Sequence, residues 1–201
     1  MKTIVMVLTG LAIMLSCVDG AMAVLLDFED LSGTNPPGQD VLSNQYAPSG
    51  VIFSNAETDI LAWNLSTDWN NTVGIRADDY QTTAPHKMTF SVPVRYVSIG
   101  YAGNYGTSTY GHEVYLKLYD ADGVEIGSDF EVIAPNTDNP DPMVSLTATA
   151  SEDVAYALFG GYYGYGDWNS LYYDNITFVP EPATIVLLGF GLLGLLWRKQ
   201  A

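Results

Sequence analysis

Between residues 24 and 178 apolar residues recur with a period of two, and no stretch carries the three-to-four spacing of an amphipathic helix. A chain patterned this way buries its apolar side as sheet. Val24, Leu26 and Phe28 alternate with Leu25, Asp27 and Glu29 in a first strand. The plainest hairpin covers 113–133: Val114, Leu116 and Leu118 alternate with Tyr115, Lys117 and Tyr119, Asp120-Ala121-Asp122-Gly123 turns the chain, and Ile126, Phe130 and Val132 then alternate with Glu125, Asp129 and Glu131. Both strands are expected to be half-buried. Further strands are expected over 50–54, 60–65, 72–77, 87–92, 94–101, 144–150, 155–160 and 170–178. Turn residues separate them, and this spacing predicts an all-β, antiparallel β-sandwich. The Gly- and Tyr-rich segments 100–111 and 160–168 read as loops at one end of it.

The two termini are patterned differently. Met1-Lys2, an apolar stretch over 4–15 and Ala21-Met22-Ala23 supply the charged, hydrophobic and A-x-A parts of a secretory signal peptide over 1–23, with cleavage after Ala23. A competing reading makes Cys17 the anchored cysteine of a lipoprotein, but Leu15 is bulky where a lipobox takes a small residue. With cleavage after Ala23 the single cysteine is lost, leaving no disulfide, thiol nucleophile or cysteine-bound metal. Residues 24–178 are then one domain, long enough to bury a substantial core. Its four Lys/Arg face 21 Asp/Glu, a net charge of −17. That balance repels nucleic acid and anionic lipid, and it suits a solvated exterior or cation binding.

Residues 179–201 open on Val179-Pro180-Glu181-Pro182, continue as an uncharged run over 183–197 and close on Arg198-Lys199. Pro182 suits the first turn of a helix, because its missing N–H would have no partner there. A transmembrane helix is expected over 183–197. It would span about 22 Å against a hydrocarbon core of roughly 30 Å, with Trp197 at the interface and Arg198 and Lys199 snorkelling toward a cytoplasmic end. Pro-Glu-Pro, a glycine-bearing apolar run and a short basic end, in that order, resemble the PEP-CTERM sorting signal, a tail also labelled "ice-binding protein C-terminal domain". The resemblance implies a substrate of an exosortase-type membrane processing enzyme. It also implies export through the inner membrane of a Gram-negative-type bacterium to the cell surface or extracellular matrix, where exopolysaccharide is a partner.

The strand Tyr172-Tyr173-Asp174-Asn175-Ile176-Thr177-Phe178, with Leu26-Asp27-Phe28-Glu29, resembles the last and first strands of jelly-roll carbohydrate-binding modules. Alternation places Tyr172, Asp174, Ile176 and Phe178 on one face, expected to be the inner one. A carboxylate there must be paired, protonated or metal-bound. In those modules an aspartate at this offset joins N-terminal acids around a structural calcium, which makes Glu29, Asp30 and Asp174 candidate ligands here. Otherwise Asp174 is solvated or bonded to Arg76 or Arg95. No cofactor is required on this reading.

Catalytic arrangements fail on spacing. If Gly123 took the glycine position of an EF-hand, the first ligand would be Leu118, which has no oxygen. Glu125 and Glu131 stand six residues apart on one strand, about 20 Å, too far for a retaining-glycosidase pair. His86 and His112 have no clustered acid or cysteine and read as surface residues. The domain is therefore expected to be no enzyme. Trp63, Trp69, Tyr163, Tyr165 and Trp168 lie among Asn, Asp and Gly, a mixture that suits either sugar stacking or loop packing.

Overall fold

The computed structural model describes residues 22–31, 41–64, 73–77, 82–102, 112–133, 144–163 and 171–181. They form an all-β sandwich of two antiparallel sheets, as the alternation predicts. The strands are β1 (Val24–Leu26), β2 (Val51–Asn55), β3 (Ile60–Asn64), β4 (Val73–Ala77), β5 (His86–Phe90) and β6 (Val94–Ala102). They continue as β7 (His112–Tyr119), β8 (Glu125–Ile133), β9 (Val144–Thr149), β10 (Tyr156–Tyr163) and β11 (Tyr172–Pro180). A 3-10 turn, Ala47–Ser49, precedes β2. Sheet A has the order β3-β4-β11-β6-β9, with β1 also on β11; sheet B has the order β2-β5-β10-β7-β8. Among the described residues no helix is long and apolar enough to cross a membrane, and the expected helix over 183–197 lies outside them.

The core lies between the sheets. Ile75, Val97, Ile99 and Tyr173 of sheet A meet Phe53, Met88, Leu116 and Phe159 of sheet B, all buried. Tyr101 crosses this layer and donates from its hydroxyl to the Tyr115 carbonyl of β7 at 2.7 Å, so a buried polar group is satisfied on the opposite sheet. The two long sides are closed. On one, segment 41–43 links both edge strands: Leu42 N–H donates to the Ile60 carbonyl (2.7 Å) and Phe53 N–H to the Ser43 carbonyl (2.9 Å). On the other, Asp129 of β8 accepts the Thr147 N–H of β9 at 2.7 Å. Phe53 and Thr147 N–H, which would otherwise stand open on edge strands, are thereby engaged.

Four local expectations change. β10 runs on to Tyr163, so residues 160–163 are strand, with Gly160 opposite Tyr115 and Gly161 opposite Val114. These glycines permit close approach: a Cβ at Gly161 would meet Leu171 Cδ1 at 2.1 Å. β6 likewise extends through Ala102. On β8, Phe130 and Val132 are 57% and 58% exposed. They pair with the outward Tyr115 and Glu113, while Asp129 pairs with the inward Leu116. The inner side of this outermost strand overhangs the core and uses its polar residue to hold β9. His86, expected at the surface, is fully buried between Phe159 and Tyr173, at ring distances of 5.3 and 5.1 Å. Its Nδ1 faces Asn55 Nδ2 at 3.2 Å, and its Nε2 is buried without a hydrogen-bond partner.

Candidate functional site

Strand β11 has β6 along one side for its whole length, whereas its other side is shared by β4, opposite Tyr173, and β1, opposite Ile176 to Phe178. At the changeover the register slips between Asp174 and Thr177, and Asn175 takes a φ of 51°. Asparagine tolerates this left-handed conformation better than most residues. Because of the slip, Ile176 and Phe178 face the core as expected, whereas before it the expected faces are reversed. Tyr173 now points inward, against Phe159 of sheet B at 5.0 Å, with Ile176 and Phe178 also buried. Tyr172 lies on the outer side, beneath the Arg76 guanidinium at 5.9 Å.

Asp174 therefore projects from the outer side of sheet A, yet it is only 3% exposed. Its carboxylate accepts Asn175 N–H at 2.6 Å and Asn175 Nδ2 at 3.3 Å. Burial pushes its pKa up to about 6; the Asn175 N–H partly offsets this, and the charges of Glu29 and Asp27 add to it. Those two acids follow β1, where Phe28 adopts a φ of 55°. The cost of that conformation, about 1–2 kcal/mol, is matched by full burial of the Phe28 ring against Tyr46 and Phe53. Glu29 accepts the Val73 N–H at 2.9 Å and ties this turn to the start of β4.

Of the three carboxylates singled out from sequence, Glu29 stands close enough for its charge to act on Asp174. Asp30 is engaged elsewhere: it accepts the Tyr46 hydroxyl, whose pKa is held far above the ordinary phenol range by burial and by that bond. Arg95 pairs with Asp153 and Glu181. The charges acting on Asp174 are both negative, which fits a cation. However, no group of three or more His, Cys, Asp or Glu side chains among the described residues is arranged to hold one.

The outer face of sheet B carries aromatics that sequence reasoning passed over. The register aligns Ile52, Thr89, Tyr156, Tyr119 and Glu125 in one row and Ser54, Lys87, Leu158, Lys117 and Ser128 in the next. Tyr119 and Tyr156 stack at 4.9 Å and 7°, and Lys87 Nζ stands 4.0 Å above the Tyr156 ring. In the following row Tyr115 lies across Gly160, where a Cβ would come within 2.6 Å of its hydroxyl. The clue was the alternation itself, which puts Tyr115 and Tyr119 on the side of β7 away from the buried leucines. Trp63 and Tyr163 belong to β3 and β10, but their side chains are outside the described residues; so are Trp69, Tyr165 and Trp168.

At the end of β11, Val179 pairs with Tyr96 and Pro180 with Val94. Glu181 N–H donates to the Pro93 carbonyl at 2.7 Å, and its carboxylate lies 3.3 Å from Arg95 Nε. Ala23 is exposed just before β1. Cys17, Ala21, Pro182, Arg198 and Lys199 lie outside the described residues.

The sandwich resembles the arabinose-bound MgGH51 α-L-arabinofuranosidase (TM-score 0.51, 9% identity, 80% of this chain and 26% of that one). The chain thus spans about a quarter of that enzyme. A DUF4465 family protein from Bacteroides caccae superposes with TM-score 0.51 and 15% identity over 80% of this chain and 100% of that one. The C-terminal family 22 carbohydrate-binding module of Clostridium thermocellum Xyn10B is also similar, with TM-score 0.43 and 11% identity over 70% and 92% of the two chains. At these identities the likeness concerns the fold alone. No curated protein matches the sequence. Residues 178–200 match the PEP-CTERM protein-sorting motif. The chain therefore joins an all-β sandwich to a PEP-CTERM sorting motif, the mark of an exported protein with a C-terminal sorting signal.

Proposed function

We propose that the protein is a non-catalytic component of the cell surface or extracellular matrix, sorted through its C-terminal motif by an exosortase-type enzyme and associated there with polysaccharide. The motif match at residues 178–200 carries this reading. The tail over 183–197 holds the exported chain in the inner membrane of a Gram-negative-type bacterium until it is processed. Fractionation of cells producing the chain with and without residues 179–201 tests it. The intact chain is expected at the envelope and the shortened one in the medium; equal retention of both would remove the sorting role.

The tyrosine face of sheet B supports the polysaccharide association, because its rings are fixed against one another and against Lys87 by the strands before any sugar arrives. Tyr156→Ala should weaken retention on the matrix polysaccharide by roughly tenfold, the scale of losing one aromatic contact and its cation partner. Unchanged retention would leave a purely structural matrix component.

A second reading, a calcium-stabilised carbohydrate-binding module, is favoured by the buried Asp174 with the negative charges of Glu29 and Asp27 acting on it. On this reading Asp174 and Glu29 would hold the ion, with backbone carbonyls and water completing its oxygen shell. Calcium titration of chelator-treated protein, followed by thermal melting, decides it: a melt that calcium does not raise ends the reading.

A further inference from the structure

The first part of the Pro-Glu-Pro motif is folded onto the domain. Val179 and Pro180 are the last residues of β11, paired with β6. The Glu181 N–H is tied to the Pro93 carbonyl at 2.7 Å. The Glu181 carboxylate and the Asp153 carboxylate each lie 3.3 Å from the same atom, Arg95 Nε. That nitrogen carries one hydrogen, which it donates to Asp153, so Glu181 meets the guanidinium as an ion pair without a hydrogen bond; Asp153 keeps a longer contact, 3.4 Å, to Arg95 Nη2. Both ends of the connection holding Asp153 are fixed to β6, by Ala150 N–H to the Arg95 carbonyl (2.9 Å) and Val154 N–H to the Val94 carbonyl (2.8 Å).

We propose that Arg95 is a positioning residue for the sorting step: with the Pro93 carbonyl it clasps Glu181 to the folded domain, and the processing enzyme engages the motif only when this end of β11 opens. The inference rests on the sorting reading. An enzyme that recognises the motif must meet its single acid with a group of its own and must take the segment unpaired. Here the carboxylate already faces a guanidinium, and the strand is already hydrogen-bonded. Asp153 loosens the clasp by holding the Arg95 Nε hydrogen. Arg95 and Asp153 therefore have opposite expected effects, and neither lies in the motif.

Pulse–chase labelling of the full chain in its native host, reading conversion of the unprocessed to the processed form, tests the clasp. Arg95→Gln should be processed about two- to fivefold faster than the unaltered chain, the scale of one exposed ion pair. Asp153→Asn should be processed more slowly. Ile75→Val, which loosens the core but leaves the clasp intact, should match the unaltered rate. Arg95→Gln at or below the unaltered rate, Asp153→Asn above it, or Ile75→Val as fast as Arg95→Gln would overturn the proposal. An unaltered chain that is never processed, in a host that processes another motif-bearing protein, would remove the sorting reading and this inference with it.

Discussion

His86 shows how much a single buried ring can decide. Burial lowers its pKa from 6.5 to about 3. The unfolded chain therefore binds a proton more readily than the folded one across that interval. The neutral ring's contribution to stability is complete above about pH 6.5 and is lost as pH falls toward 3. Melting at a series of pH values should show stability falling through that window, and His86→Leu should flatten the fall; an equal slope in the variant would shift the cause to other groups. Asp174 has the opposite sign. Its folded pKa, about 6 against an ordinary 3.8, makes it cost stability as pH rises between those values, and the cost is complete above them. In chelator at neutral pH, Asp174→Asn should raise the melting temperature by several degrees, because one buried charge is relieved. If the calcium reading holds, the same variant should no longer respond to calcium. Neither environment could be read from neighbours in sequence. His86 sits beside Lys87, but strand geometry sends the two to opposite faces, and the depth of the inner face depends on Phe159 and Tyr173, which are far along the chain.

Strands themselves were legible because alternation and turn residues are local. Every described strand from β2 to β11 lies on or near an expected one. Which side of a strand faces the core is not local when the ladder slips or the strand is outermost. The slip at Asp174 moves Tyr173 inward in place of its neighbours, and β8 turns Phe130 to solvent so that Asp129 can reach β9. The β8–β9 seam can be tested as a unit. Asp129→Ala leaves the Thr147 N–H without its partner and should cost about 1 kcal/mol, with more self-association on size exclusion as the edge becomes available. Gly127→Ala should cost more, about 1–3 kcal/mol, because its Cβ would meet the Thr149 carbonyl oxygen at 2.5 Å. A Gly127→Ala protein as stable as the unaltered one would mean that the seam is loose.

At the scale of the molecule, sheet A depends on its last strand. β11 is bonded to β4, β1 and β6, so a chain ending before Tyr172 should show no cooperative melt, whereas one ending at Glu181 should melt as the full chain does. Coincident melts of all three forms would show that β11 is dispensable. The pairing of Val24 with Phe178 joins positions 154 residues apart. A contact so distant in sequence is slow to form, and here the strand that receives it is also the last to be synthesised. The domain cannot assemble piecemeal as it emerges from the ribosome or the export channel. Until residue 178 is across, one backbone edge each of β1, β4 and β6 lies open, so sheet A closes only with the strand that leads straight into the sorting motif.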